Sequence, residues 1–163
     1  MFRILVSVML LAFAVFGASA QAYVDLHDFG GTTTNADGDT GPDGGFPYGG
    51  VAFDTAGNMY GTAYNGGANG YGMVWELTST GAYRDIHDFG GTVRNANGTN
   101  GPDGFGPEAP ITVDSKGNLY GTTSEGGPYD KNNSPAGIVW KITNTGTYAT
   151  STTSAVPATA ALP

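Results

Sequence analysis

Hydrophobic positions along this chain follow two regimes. Residues 4 to 16 form an apolar run from Ile4 to Phe16, broken only by Ser7. Beyond it, apolar residues come in short bursts that alternate with polar ones and are cut by glycine, asparagine or aspartate. No later window has the i, i+3, i+4 spacing of an amphipathic helix. The bursts instead predict four short strands, at about Gly50 to Asp54, Asn58 to Tyr64, Gly72 to Thr78 and Tyr83 to Phe89. Between them, Asp54 to Gly57 and Thr78 to Gly81 each place a side-chain acceptor first and glycine last. That arrangement suits a type I turn closing on a left-handed residue with a bulge. Alternation puts Val51, Phe53, Met59, Val74, Trp75, Leu77, Ile86 and Phe89 in the core.

The same pattern then recurs. Setting Tyr23–Gly67 over Tyr83–Gly127, a shift of 60, leaves 24 of 45 positions identical, including His-Asp-Phe-Gly-Gly at 27 and 87 and Gly-Pro-Asp-Gly at 41 and 101. Gly72-Met-Val-Trp75 matches Gly137-Ile-Val-Trp140 at a shift of 65, so the second unit carries an insertion around Tyr129 to Pro135, as surface loops tolerate. The fold expected is all-β: a β-propeller-like repeat domain over 21–148, in units of about 23–82 and 83–148, each a four-stranded antiparallel blade. After Tyr148 no His-Asp-Phe element follows, only a Ser/Thr/Ala/Pro stretch over 149–163 that reads as a disordered tail and leaves the second blade without its fourth strand. Tyr23 to Phe29 is that element displaced to the other end, an N-terminal strand able to complete the second blade. Propellers use about 4 to 8 blades, so two imply either a ring of about two to four copies or, the reading preferred from the sequence, a truncated member of a longer array.

The apolar run is too short to span a bilayer, for which about 20 residues are needed. Arg3 precedes it and Ala18-Ser19-Ala20 follows it, the order of a signal peptide over 1–20 cleaved after Ala20. The mature chain is then secreted, to the periplasm or beyond, with the membrane involved only through the cleaved segment. Glycine makes up 27 of its 143 residues, well above the usual ~7%, which favours turns and weakens helices. Acidic residues number 14 against five basic ones once Arg3 is gone, which argues against a nucleic-acid partner. No cysteine is present, so disulfides and thiolate metal sites are excluded.

Gly117-Asn-Leu-Tyr-Gly-Thr-Thr123, Gly126-Gly127, Gly137-Ile-Val-Trp-Lys-Ile142 and Leu26-His-Asp-Phe-Gly-Gly31 together resemble the GloVer-type tandem repeat of the choice-of-anchor bacterial surface proteins. The resemblance covers nearly all of the mature chain to Tyr148. It implies export and display at the cell envelope, usually with more repeats and a C-terminal sorting anchor, and brings no catalytic residues with it.

A residue present in both units reads as part of the fold, whereas a functional centre should break the symmetry. His27 and His87 therefore read as structural histidines, and the paired Asp25/Asp85, Asp28/Asp88, Asp43/Asp103 and Asp54/Asp114 follow the same logic. The asymmetric carboxylates are Asp37, Asp39, Glu76, Glu108, Glu125 and Asp130, and no motif sets two of them as a hydrolase pair. Asp37, Asp39 and Asp43 are candidate ligands for a hard cation such as calcium, but Gly41 stands where the third EF-hand ligand belongs, and a solvated turn without cofactor is the reading adopted. Trp75, Trp140, Tyr60 and Tyr120 are candidates for stacking on sugar rings, although their recurrence reads first as core. No loop concentrates asymmetric polar and aromatic residues. The expectation is thus a non-enzymatic structural or interaction module of the envelope whose partners are itself, other envelope proteins or glycans; a carbohydrate-binding module and a fragment of a glycosidase-like propeller are the alternatives.

Overall fold

The computed structural model describes residues 22–130 and 135–150. The expected signal peptide and most of the expected 149–163 tail lie outside the described residues, among which no helix occurs. The protein is all-β. Its strands are β1 (Thr32–Thr34), β2 (Thr40–Pro42), β3 (Ala52–Phe53), β4 (Met59–Ala63), β5 (Met73–Leu77), β6 (Tyr83–Asp88), β7 (Thr92–Arg94), β8 (Asn100–Pro102), β9 (Thr112–Val113), β10 (Leu119–Thr122), β11 (Val139–Ile142) and β12 (Tyr148–Thr150). Two antiparallel four-stranded meanders, β3-β4-β5-β6 and β9-β10-β11-β12, repeat one design.

The turns form by the chemistry the sequence dictates. Asp54 Oδ1 accepts from the backbone N–H of Ala56 and Asn58, each at 2.9 Å, and Asp114 does the same for Lys116 and Asn118. Thr78 and Thr143 accept from Ala82 and Thr147 through their hydroxyls, closing the second turn of each meander. Asn58 and Asn118 then tie the turns together, accepting from the N–H of Ser79 and Asn144.

Each unit also carries an unexpected pair of strands. The segments read as solvated turns, Asn35 to Gly44 and its counterpart, are the tips and second strands of two-stranded ribbons, β1-β2 and β7-β8. Their three-residue strands are mostly threonine, glycine and proline, too short and too polar to show an alternation. Asn35 is buried over Gly41, where any side chain would collide with its amide.

The fourth strand of the second sheet, expected to be missing, is present: Tyr148–Thr150 pairs antiparallel with β11, so the chain stays ordered through Thr150 rather than ending at Tyr148. Three residues suffice because Tyr148 is anchored by its ring. Tyr23–Phe29, the segment expected to fill that place, forms no strand and instead lays His27 and Phe29 against the first unit.

Two cores result. Ala63, Met73, Trp75 and Leu77 pack with Phe29, Met59 and Tyr83 on one face of the first sheet. The opposite face presents Val74, with Ala52, Tyr60 and Ile86, to the second unit, where Phe89, Ile111, Leu119, Trp140 and Ile142 complete a shared core. Val51 and Phe53, expected inside, are 50% and 59% exposed, while their counterpart Ile111 is 5% exposed. The register sets Gly61 opposite Trp75 and Gly121 opposite Trp140, and each indole lies flat across its glycine.

A Cβ added at residue 121 would come within 2.3 Å of the Trp140 ring. Gly121→Ala should destabilise the protein by about 1–3 kcal/mol, as overpacking does. Gly45, with open space around it, should accept alanine at a cost below about 0.5 kcal/mol. Urea unfolding followed by tryptophan fluorescence measures both.

Candidate functional site

Each His-Asp-Phe-Gly-Gly segment builds the same node. His27 stacks on Tyr83 with ring centroids 3.8 Å apart, and its Nε2 lies 3.2 Å from Asp43 Oδ2. His87 stacks on Tyr148, also at 3.8 Å, with Nε2 3.0 Å from Asp103 Oδ2. The Tyr83 and Tyr148 hydroxyls donate to the carbonyls of Asp43 and Asp103 at 2.6 and 2.5 Å. Burial, reinforced by Asp43 and Asp103 respectively, pushes both phenols well above their ordinary range, so each stays a donor. Asp43 and Asp103 also accept from the N–H of Gly30 and Gly90. The buried Nε2 of each histidine lies beside its aspartate but makes no aligned hydrogen bond.

The candidate cation ligands are not gathered. Asp37 and Asp39 are exposed at the ribbon tip, where Asp37 accepts from the Asp39 N–H, whereas Asp43 is buried and turned to His27 and Gly30. Among the described residues, no three His, Asp or Glu side chains are grouped to hold a metal.

The candidate stacking aromatics are also engaged internally. Trp75 and Trp140 are core residues, edged by Phe29 at 5.7 Å and Phe89 at 5.8 Å. Tyr60 is half-buried and donates toward both Asp54 Oδ2 at 3.1 Å and Glu76 Oε1 at 3.2 Å. Burial, then the Glu76 and Asp54 carboxylates, push its phenol well up. Tyr120 donates to Asp114, and Lys141 replaces Glu76 beside it, with Nζ 5.4 Å from the ring centroid. Hydrogen bonds from Asn118, Lys116 and Tyr120 hold the Asp114 carboxyl down to about 2. Tyr60, Glu76 and Arg84 form one wall of a cleft of about 360 Å³ between the units, faced by Leu119, Ile142 and Asn144.

Two surfaces depart from the internal symmetry. The first is a pair of open sheet faces. Val74 and Thr62 are 0% and 1% exposed beneath the second unit, but their counterparts Val139 and Thr122 are exposed, Val139 by 54%. At the other end Val51 and Phe53 are uncovered where Ile111 and Val113 are packed.

The second surface is an aromatic group that sequence reasoning missed. Tyr64, Tyr71 and Phe105, with Asn65 and Glu125, line a cleft of about 220 Å³. Tyr71 stacks on Phe105 with centroids 4.3 Å apart; Tyr48 lies 5.8 Å from Tyr64 and 5.7 Å from Phe46. None of the five has an aromatic counterpart: the matching residues are Gly106 for Phe46, Glu108 for Tyr48, Ser124 for Tyr64, Ala136 for Tyr71 and Gly45 for Phe105. The signal lay in the mismatched columns of the self-alignment. It was hidden because the five come from three separate loops, so no single loop concentrates them.

Asp85, on β6, is buried with Oδ1 accepting from the His87 N–H and Oδ2 facing no donor. Burial and the adjacent Asp88 push its carboxyl up to about 8. Between about pH 4 and 8 the folded chain therefore holds a proton that the unfolded chain releases, and stability falls as pH rises through that interval. Asp85→Asn, which cannot ionise, should gain melting temperature over the wild type, and the gain should grow from pH 5 to pH 8.5 in thermal melts.

No family model matches this chain, and neither a curated protein nor a solved structure matches it.

Proposed function

We propose that the chain is an exported structural and interaction module of the bacterial cell envelope, built from GloVer-type repeats that act as blades of a propeller-like array. Its work is done by repeat faces and not by catalysis. The observation that carries this reading is the mismatch in burial between equivalent faces. Within the chain, the Ile111, Leu119 and Trp140 face of the second unit covers the Val74 and Tyr60 face of the first. Parts of the same two faces are uncovered at the ends, Val51 and Phe53 on the first unit and Val139 and Thr122 on the second. A second copy presents the complement to each, in a head-to-tail contact that closes into a ring or extends as an array. Large apolar side chains in such a contact contribute about 1.5–3 kcal/mol each. The duplicated His-Asp-Tyr nodes support the non-catalytic reading, because one arrangement recurs in both units, each tyrosine hydroxyl donating to the carbonyl of the aspartate that lies beside the histidine.

Light scattering on a sizing column, with circular dichroism on the same peak, tests the proposal on the mature chain, Gln21 to Pro163. A β-rich species at about two to four times the monomer mass is expected. Val139→Asp and Phe53→Asp, at opposite ends, should each lower that mass while leaving the spectrum unchanged. A folded wild type that stays monomeric at micromolar concentration would overturn the proposal.

A further inference from the structure

The aromatic cleft carries an inference independent of self-association: we propose that Tyr64, Tyr71 and Phe105, continued by Tyr48 and Phe46, form a binding site for a neutral polysaccharide. Three observations lead there. The five rings gather from separate parts of the chain, at positions where the repeat offers glycine, glutamate, serine or alanine, so the blade itself does not require them. They stay in reach of solvent, with Phe46 57%, Tyr48 64% and Tyr71 51% exposed. Phe46, moreover, has φ +55°, and among the described residues no other residue except glycine adopts a positive φ. Its counterpart Gly106 has φ +62° and relieves the strain that a bulky side chain incurs there. A strained aromatic kept where glycine would serve the fold better marks a position held for contact.

The ring geometry selects the ligand. Phe46 and Tyr48 are inclined by 20°, Tyr71 and Phe105 by 26°, and Tyr48 and Tyr64 by 56°. Near-parallel pairs offer their outer faces to a flat apolar partner, unlike the perpendicular walls that enclose a quaternary ammonium. At the rim, Glu125 and Asn65 are exposed, and the Glu125 carboxylate needs donors from its ligand. A pyranose supplies both parts, a C–H face to stack and hydroxyls to donate, whereas a proline-rich peptide supplies carbonyl acceptors. The chain's net charge of −8 disfavours a polyanion.

Native electrophoresis of the mature chain through gels containing soluble β-glucan, arabinoxylan or galactomannan is the test. The second unit provides substitutions already compatible with the fold. Tyr64→Ser and Phe46→Gly should each weaken retardation about three- to tenfold, the range expected for one lost aromatic stacking contact. Phe46→Gly should at the same time raise the melting temperature, since glycine accepts the left-handed backbone. That opposition of stability and binding is not expected of a residue whose role is structural. A folded wild type that none of the three polysaccharides retards overturns the proposal, as does retardation unchanged in both variants. Preferential capture by immobilised choline or by a polyproline peptide would equally overturn it, by assigning the cleft to another ligand.

Discussion

The structure depends on a phenylalanine that serves one sheet's core while its strand belongs to another. β6 is hydrogen-bonded into the first sheet, yet at its end the chain delivers His87 to Tyr148 and Phe89 to Trp140, both in the second unit. Phe89 is 0% exposed there. Because the backbone ladder holds one end of this segment and aromatic packing holds the other, the core of the second sheet is tied to the first. The repeat is thus stitched by overlap, with each unit lending the next the side chains that close it.

This overlap explains why the polar residues around it recur. Each half-buried imidazole lies beside the aspartate of Gly-Pro-Asp-Gly, with Nε2 3.2 Å from the carboxylate in the first unit and 3.0 Å in the second. The same aspartate anchors the N–H of Gly30 or Gly90, so the ribbon that follows each His-Asp-Phe segment is fixed by the residue that steadies its histidine. Asp88 extends the stitching by accepting from Ala36 and Ala68, joining the first ribbon and the β4–β5 connection to β6. The buried charge that accompanies this, next to Asp85, is the cost of crowding carboxylates along one strand.

Symmetry and its breaking separate scaffold from function. Where both units agree, in the histidine nodes, the Asp54 and Asp114 turns and the indoles over glycine, side chains are engaged within the fold. Where they disagree, side chains face outward: Val139 against Val74, Val51 against Ile111, and the three aromatics of the cleft with the adjoining Phe46 and Tyr48. Self-association and glycan binding, the two activities proposed, draw on different members of this second set. They can therefore coexist, with the faces building an array and the clefts repeating along it.

The sequence by itself determined the all-β class, the two-unit organisation and most strand positions, because these rest on local rules. Turn residues at Asp54-x-x-Gly57 and Thr78-x-x-Gly81 dictate hairpins wherever they occur, and alternation marks Met59–Ala63 and Met73–Leu77 without knowledge of any partner. Tertiary structure alone decided the rest. The ribbons β1-β2 and β7-β8 are too polar to announce themselves, and β12 exists only because Tyr148 is held by His87 and Asp103, 61 and 45 residues away. Val51 and Ile111 occupy matched positions just before β3 and β9, yet one is exposed and the other buried, since burial depends on what lies opposite and not on the residue. The aromatic cleft was illegible for the same reason. Its members are scattered from Phe46 to Phe105, and only packing of one unit on the next brings them to a common surface.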